Sequence, residues 1–371
     1  MEPVSLCLYF IRGSDLKVLF FVLLFLTLTK SYFLETKNNH YLQIDCKIYN
    51  QGSELIIALP GFTCSFSPKG EWLSLVGSDL FLYNKDNTVK YKFPYKVHHE
   101  LKFSSDGKKI YFLSSEIKIF KGIKTRFDII NISDNNGLIL AQWKSFDHLN
   151  ELYQKLTLNF VDSIIPTKMY NEFFAADEQN EFSHINAVYE IPANDLENEM
   201  SYLKKGNLLV TFNGLGSVAV FDPHLKRIEH LFQKILNAKL FGFHDAQILT
   251  NGHLIMFKNL NERAGNAYTS IEEYDIQKEK LYWSFEFKEP QFKLNEISGA
   301  VQVLENNNVL IAENSFGGRS VEINRDGIIQ WEKYNEFYNS LVPKPKSVFR
   351  AKKLDLTDFL KNNPYGKLNE Q

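Results

Sequence analysis

Residues 320–331 read SVEINRDGIIQW, which is an apolar strand, a turn at Asn324–Gly327 and a second strand that ends at Trp331. Gly and Asn tolerate positive φ angles, which tight hairpin turns require. The same form occurs at residues 217–232 and again at residues 271–285. A repeated strand hairpin that closes on an aromatic residue indicates one all-β unit that is used several times.

A turn that contains Gly or Asn precedes an apolar strand at several further places. These pairs are 67–70 before Glu71–Val76, 105–107 before Ile110–Leu113, 205–207 before Leu208–Phe212, 250–252 before Leu254–Phe257 and 305–308 before Val309–Ala312. Apart from one longer gap, they recur about every 40–55 residues, which is close to the period of a four-stranded propeller blade. Blades must stack around an axis to bury both faces. We therefore predict an all-β fold, a six-bladed β-propeller over residues 40–340. A β-sandwich would supply the strands but not the repeat.

The N-terminal part has a different character. Val18–Leu28 is an uninterrupted apolar run, with Arg12 and Lys17 before it and Lys30 after it. A positive flank and an apolar core of about 7–15 residues are typical of an export signal, whereas a full membrane span needs about 20 residues. We expect residues 1–34 to be either a cleaved signal peptide or an uncleaved anchor, and the alternative is a buried helix of a cytoplasmic protein. Export predicts a periplasmic or other extracytoplasmic place in the cell envelope, with membrane contact only through this segment.

Three other features depart from the repeat. Residues 146–158 (FDHLNELYQKLTL) predict a short helix between blades, and residues 341–371 predict a C-terminal tail that packs on the outside of the propeller. Cys46 and Cys64 either form a disulfide, if the chain is exported, or are two unpaired core residues.

Composition excludes some classes of function. The net charge is −2, so nothing in the electrostatics favours a nucleic-acid partner. The chain has 3 cysteines and none of them forms a CxxC pair, so a zinc-ribbon or redox motif is not supported.

Histidines begin strands in successive units. They occur as His98-His99 in KVHHELKF, His184 with Asn186 in FSHINAVYEI, and His244-Asp245 in FGFHDAQIL. Each stretch lies just upstream of the hairpin turn of its unit, which in a blade is the innermost strand. We therefore expect imidazoles from three blades to point at one axis, where an imidazole can be a nucleophile, a base or a metal ligand.

In this order the motifs resemble the arylsulfate sulfotransferase family, six-bladed propellers of the bacterial envelope, over about residues 95–355. The other stretches that carry the resemblance are Gly206–Phe212, Asn251–Leu254, Ser270 with Glu273-Tyr274, Gly299–Gln302, Trp331-Glu332 and Phe349–Ala351. The resemblance implies transfer of a sulfuryl group from an aryl sulfate to a phenol through a sulfohistidine, without a nucleotide sulfate donor or any cofactor. Small aromatic sulfates and phenols are the partners that it implies.

The resemblance also implies roles for particular residues. His244 matches the nucleophile, and His99 (or His98), His184 and Asn186 match the groups that hold the sulfuryl oxygens. This agrees with the chemistry, because a neutral imidazole is a competent nucleophile and flanking donors stabilise the developing charge. Asp245 would either orient a ring or accept a backbone hydrogen bond at the strand end. We count His98, Asn213 and Asp245 as expected substrate-binding residues.

One position departs from the family. Relatives carry Arg near the end of the strand that here reads Leu209-Val210-Thr211-Phe212-Asn213, so Asn213 offers a neutral amide in place of a permanently charged fork. Lys204, Lys205 and Arg319 are expected to be solvated surface residues rather than replacements for that charge.

Two alternatives stay open. The Asn213 departure favours a catalytically impaired propeller that binds a ligand or a protein in the cell envelope. His99, His184 and His244 could instead form a three-imidazole metal site, although a metal would leave Asn186 without an evident role, and we expect none.

Overall fold

The computed structural model describes residues 40–50, 53–156, 180–232, 236, 242–263, 266–287, 299–313, 318–334 and 350–362. The chain divides into two units, Met1–Asn39 and His40–Gln371, and all described residues belong to the second. The signal or anchor predicted at residues 1–34 therefore lies outside the described residues. Within the described ranges, no helix has the length and apolar character needed to cross a membrane.

The first sheet has four antiparallel strands and combines both ends of the second unit. Its strands are β1 (His40–Ile44), β2 (Lys47–Tyr49), β3 (Leu55–Ala58) and β24 (Ala351–Asp355), in the order β24-β1-β2-β3. The strand β24 pairs along the whole of β1, from His40 opposite Asp355 to Ile44 opposite Ala351. The C-terminal segment is therefore not only a tail on the outside, because it supplies the strand that completes this sheet.

The second sheet has eight strands. They are β4 (Thr63–Phe66), β5 (Trp72–Val76), β6 (Asp79–Tyr83), β7 (Val89–Phe103), β8 (Lys109–Phe120), β9 (Ile123–Asp134), β10 (Ile139–Lys144) and β11 (Asn180–Glu181). The strand β7 has 15 residues, and it pairs with β6 through its first part and with β8 through its second part.

Three further sheets each have four strands in chain order. The third contains β12 (Ile185–Glu190), β13 (Leu208–Phe212), β14 (Ser217–Phe221) and β15 (Ile228–Leu231). The fourth contains β16 (Phe243–Ile248), β17 (Leu254–Arg263), β18 (Asn266–Asp275) and β19 (Lys280–Glu286). The fifth contains β20 (Gly299–Val303), β21 (Val309–Glu313), β22 (Arg319–Ile323) and β23 (Ile329–Tyr334).

Buried apolar clusters between neighbouring sheets arrange them as a β-propeller. One cluster joins Val220 of the third sheet to Met256 of the fourth, and another joins Phe257 to Ile311 of the fifth. Further clusters join Leu310 to Leu42 of the first sheet and Ile48 to Trp72 of the second. The second and third sheets meet through Trp143 and Phe221, so the sheets follow one another around a ring.

The blade count differs from the six that the sequence predicts. Four of the sheets are four-stranded blades, and the remaining sheet has eight strands. The reason is β7, which continues without interruption from its pairing with β6 to its pairing with β8 and so joins strands that a turn would otherwise separate.

Burial along the strands follows from their place in the propeller. The second and third strands of the third and fifth sheets are buried at every residue, because neighbouring sheets cover both of their faces. The last strands of the fourth and fifth sheets, β19 and β23, have only exposed and half-buried residues. The strands β7, β12, β16, β20 and β24 contact one another in succession, which places them nearest the axis.

Two elements tie the sheets together. A disulfide between Cys46 and Cys64 links the turn after β1 to β4, which selects the paired alternative for these cysteines. The predicted helix between blades is confirmed as α1 (Leu149–Leu156), whose buried Leu149, Leu152 and Leu156 join the cluster between the second and third sheets. A second helix, α2 (Thr357–Asn362), follows β24.

Candidate active site

The histidines of β7 and β16 converge with His184, which directly precedes β12. The rings of His99 and His184 lie with their centroids 4.9 Å apart, and those of His98 and His99 lie 5.1 Å apart. His244 interacts electrostatically with both His99 and His184. The structure thus brings together the four histidines that the sequence singles out.

An irregular backbone positions these side chains. The ladder of β7 shifts register between His98 and Leu101, and that of β16 shifts between His244 and Gln247. The φ angles of His99, His184 and Asp245 are 56°, 41° and 53°, which is the left-handed region that non-glycine residues rarely adopt. Bulges redirect side chains, and strain of this kind clusters at functional sites.

Two amide side chains flank the His244 ring. Asn186 Nδ2 lies 2.8 Å from His244 Nδ1, and Asn213 Nδ2 lies 3.4 Å from His244 Nε2. Backbone groups fix both amides, because Asn186 Nδ2 also donates to the Phe243 carbonyl at 2.8 Å and Asn213 Oδ1 accepts from the Gly242 N–H at 2.7 Å. An imidazolium would carry an N–H at both ring nitrogens, and each N–H would then face an amide donor. The two amides therefore favour the neutral imidazole.

Burial keeps the imidazoles of His244, His184 and His99 neutral. Burial, with the nearby His184 as a further cause, lowers the pKa of His244 to about 3. Burial lowers the pKa of His184 to about 4. Burial also holds the pKa of His99 well below 6.5, and the charges of His184 and His98 lower it further. A neutral imidazole carries a lone pair at neutral pH, so His244 can act as a nucleophile.

A carboxylate and a guanidinium lie behind His184. Nδ1 of His184 forms a short contact with Glu181, and the same carboxylate pairs with the guanidinium of Arg126. The Glu181 carboxylate therefore holds the His184 ring through Nδ1. Sequence reasoning missed both residues, and the only local signal is the position of Glu181 three residues before His184.

A second carboxylate lies behind His98. Asp128 Oδ1 lies 3.3 Å from His98 Nε2, and Asp128 Oδ2 accepts hydrogen bonds from Ser183 Oγ at 2.6 Å and from the Ile185 N–H at 2.8 Å. Burial alone would raise the pKa of Asp128, but the hydrogen bond and charge of His98, with Arg126, hold it at about 2. Asp128 is also absent from the residues predicted from the sequence.

The carboxylate of Asp245 lies in a buried network of protein groups. It accepts hydrogen bonds from the Tyr189 hydroxyl at 2.5 Å and from the Val301 N–H at 2.8 Å, and Arg350 Nη1 lies 3.7 Å away. The substrate-binding role of Asp245 stays a prediction. The sequence motif around Arg350 was part of the family resemblance, but no role in the site was predicted for this residue.

The three cations considered as replacements for the arginine of the family differ in their burial. Lys204 and Lys205 are exposed, as predicted. The prediction of a solvated surface is wrong for Arg319, which is buried and forms a two-pronged ion pair with Glu313 at 2.9 and 3.0 Å. That pair occupies its guanidinium.

A metal has little support in the described residues. Among them, no group of three or more His, Cys, Asp or Glu side chains is arranged to hold a metal ion. The alternative in which His99, His184 and His244 bind a metal therefore lacks a ligand set there, and both nitrogens of His244 face amides instead.

Comparison with known proteins points to one family. The model of the family described as Arylsulfotransferase (ASST) matches residues 82–336, which is more than half of the 371-residue chain. Similar solved structures include a protein of unknown function from Bacteroides caccae, with 12% identity, a TM-score of 0.48, and coverage of 81% of this chain and 96% of that chain. Another is the hydrazine synthase of Kuenenia stuttgartiensis, with 11% identity, a TM-score of 0.42, and coverage of 76% and 68%. Both TM-scores are below 0.5, so nothing about this chain follows from them. A search of curated proteins gave no match.

Proposed function

The chain belongs to the arylsulfotransferase family, and from that membership we propose that it moves a sulfuryl group from an aryl sulfate to a phenol through a covalent intermediate on His244. The observation that carries the proposal is the setting of His244. Its ring is buried and neutral, and it lies between the amides of Asn186 and Asn213 and near His99 and His184. No nucleotide donor takes part in the proposed reaction.

Each half of the reaction exchanges one bond at sulfur. The lone pair of His244 attacks the sulfur, and the N–S bond forms while the S–O bond to the donor breaks and its electron pair leaves on the phenolate oxygen. The oxygen of the acceptor phenol then attacks the sulfur, loses its proton, and the N–S electron pair returns to His244. One proton is taken up by the first product and one is released by the acceptor, so the cycle is balanced.

Neighbouring donors supply the proposed stabilisation. His99, His184 and Asn186 are polar groups held at strained or bulged backbone positions, and they need little reorganisation when charge develops on the sulfuryl oxygens. Losing one such donor typically costs about 10²–10³ in rate. The Glu181–Arg126 pair supports this arrangement, because it fixes the His184 ring from behind.

One observation favours a second function. Asn213 provides a neutral amide where relatives carry a charged arginine, and its Oδ1 is already used by the Gly242 N–H. A site with less positive charge binds a sulfate ester less strongly. On this alternative the chain is an impaired member of the family that binds a ligand or a protein partner.

The disulfide supports a proposed location outside the cytoplasm. Cys46 and Cys64 are bonded, and structural disulfides persist in oxidising compartments. We place the protein in the cell envelope on this ground, where aryl sulfates and phenols would be its small-molecule partners.

The test of the proposed function is an assay with a panel of aryl sulfates and a phenol acceptor. Transferase activity predicts turnover by the wild-type protein, loss of turnover in His244→Ala, and full turnover in His224→Ala, which removes an exposed imidazole. If neither the wild type nor any variant turns over an aryl sulfate, while the wild type still binds one, the binding function is favoured instead.

A further inference from the structure

His98 lies between a buried carboxylate and the His99 ring. Its Nε2 is 3.3 Å from Asp128 Oδ1 and 3.2 Å from the Ser114 carbonyl oxygen. Its Nδ1 is 2.9 Å from Nδ1 of His99. The three side chains therefore form a line from Asp128 through His98 to His99, whose remaining nitrogen, Nε2, is left for another partner.

The contacts of His98 fix where one of its protons lies. A carboxylate oxygen and a carbonyl oxygen both accept hydrogen bonds and donate none. Because both groups that lie against Nε2 of His98 in the described part of the chain are acceptors, this nitrogen carries a proton. The Nδ1 atom of His98 can then be either a lone pair or, when the ring is an imidazolium, a second N–H.

The contact between the two Nδ1 atoms allows two arrangements. If His98 is neutral, His99 Nδ1–H donates to His98, and Nε2 of His99 carries a lone pair. If His98 is an imidazolium, His98 Nδ1–H donates to His99, and Nε2 of His99 carries the proton. The first arrangement makes His99 a base and the second makes it an acid, and they differ by one proton.

Asp128 holds the end of the line opposite His99. It is buried, and its other oxygen is held by Ser183 Oγ at 2.6 Å and the Ile185 N–H at 2.8 Å. These bonds and the adjacent His98 keep the carboxylate ionised, since the pKa of Asp128 is about 2. An ionised carboxylate accepts the Nε2 proton of His98 in both arrangements and holds Nδ1 of the ring toward His99.

We propose that Asp128, His98 and His99 form a proton relay in which His99 is the general acid and base of the transfer reaction. The proposal rests on the proposed transferase function. Asp128 and His98 act through His99 and are positioning residues, whereas Nε2 of His99 would contact the reacting oxygen.

The relay balances the protons of the reaction. As the S–O bond of the donor breaks, His99 Nε2–H protonates the leaving oxygen, and the Nδ1 proton of His98 moves to Nδ1 of His99. Both rings are then neutral. When the acceptor phenol attacks the sulfur, its proton passes to His99 Nε2, and the Nδ1 proton of His99 returns to His98.

Leaving-group dependence tests the relay. An acid matters most for a poor leaving group, so the variants His98→Gln and Asp128→Asn should lose about 10²-fold or more with phenyl sulfate, but less than about 10-fold with 4-nitrophenyl sulfate. His253→Gln is the matched control, because His253 pairs with Glu273 at 2.6 Å outside the site, and it should behave as the wild type. An equal loss with both substrates would overturn the relay.

Two further outcomes distinguish a failure of the relay from a failure of the proposed transferase function. A wild type without any turnover would overturn the transferase function itself, whereas an active wild type whose variants lose rate uniformly would overturn the relay alone. Nitrogen NMR of the full chain with labelled histidine needs no variant, and we expect a protonated Nε2 on His98. An unprotonated Nε2 on His98 would also overturn the relay.

Discussion

Nη2 of Arg350 lies 3.1 Å from Oε2 of Glu100, although 250 positions separate the two residues in the chain. The same guanidinium lies 3.7 Å from Asp245, 3.3 Å from the Asn186 carbonyl oxygen and 3.5 Å from the Gly299 carbonyl oxygen. Arg350 directly precedes β24 and thus connects the closing strand to β7, β12, β16 and β20. One buried charge therefore bridges the strand that closes the ring and the strands that carry residues of the candidate site.

Removal of this charge should destabilise the fold. Arg350→Met removes the guanidinium from the buried carboxylates of Glu100 and Asp245, and breaking a buried ion pair from one side costs about 3–5 kcal/mol. Denaturant unfolding measures the change. Arg227→Met is the control, because Arg227 forms an exposed pair with Glu229, and we expect no measurable effect. Equal stability of the Arg350→Met variant and the wild type would contradict the role of Arg350 in closure.

The disulfide should stabilise the link between the first two sheets. The bond between Cys46 and Cys64 spans 18 positions, and a loop of this size corresponds to about 3 kcal/mol. We expect a reductant to lower the denaturation midpoint of the wild type but not that of the double variant Cys46→Ala/Cys64→Ala. A wild-type midpoint that is insensitive to reductant would contradict the pairing.

Acid should destabilise the protein before its carboxylates titrate. The pKa values of His244 and His184 are about 3 and about 4 in the folded state, against about 6.5 in an unfolded chain. Between these values the unfolded state binds more protons, so stability is present above about pH 6.5 and is lost as the pH falls toward 4. Each histidine contributes a slope of about 1.4 kcal/mol per pH unit in that window.

Unfolding at a series of pH values checks this slope. His184→Gln removes one titrating group, so its free energy of unfolding should depend less steeply on pH between about 6 and 4.5. His224→Gln removes an exposed imidazole and should keep the wild-type slope. Identical slopes for His184→Gln and the wild type would show that His184 is not held neutral by burial.

Gly242 should be required for the position of His244. Its φ is 109°, and a Cβ added there would lie 2.3 Å from the Asn259 carbonyl oxygen. In Gly242→Ala the backbone must move, and a displacement of about 1 Å at a reacting group can cost about 10²-fold in rate. The comparison is with Gly206→Ala, which has a φ of 90° but no neighbouring atom within 4 Å of the added Cβ.

Both glycine variants carry backbone strain of about 1–2 kcal/mol, and Gly242→Ala should lose further stability because its Cβ meets the Asn259 carbonyl oxygen. Only Gly242→Ala should lose the proposed sulfuryl transfer. Equal transfer rates in the two variants would mean that the Gly242 backbone does not set the His244 geometry.

The strands were predictable from the sequence because their signals are local. Leu208–Phe212 and Ser217–Phe221 match the observed β13 and β14 at both ends, since apolar residues bounded by Gly and Asn mark strands and turns within a few positions. The polar strand β24, by contrast, has no apolar run, and its pairing with β1 depends on residues about 310 positions away in the chain. The continuity of β7 was missed for a related reason, because no sequence rule says that a long strand will serve two sets of partners.

The candidate site was predictable in part. The sequence placed the histidines just upstream of a hairpin turn in successive repeats, and that regular position predicted their convergence. The groups behind them were not predictable, because Asp128, Glu181 and Arg126 approach the rings only through pairing of β9 with β8 and β11. Their side chains lie on the surface in one arrangement of strands and in a buried site in another, so residue type alone does not distinguish the two.

The most direct test of a covalent intermediate on His244 is mass spectrometry of the protein after brief exposure to an aryl sulfate without an acceptor. The proposal predicts an added mass of about 80 Da, one sulfuryl group, on the peptide that contains His244. The adduct should disappear when a phenol is added, and it should not form in His244→Ala. A protein that turns over aryl sulfates without this adduct, or that carries it on another residue, would contradict the account.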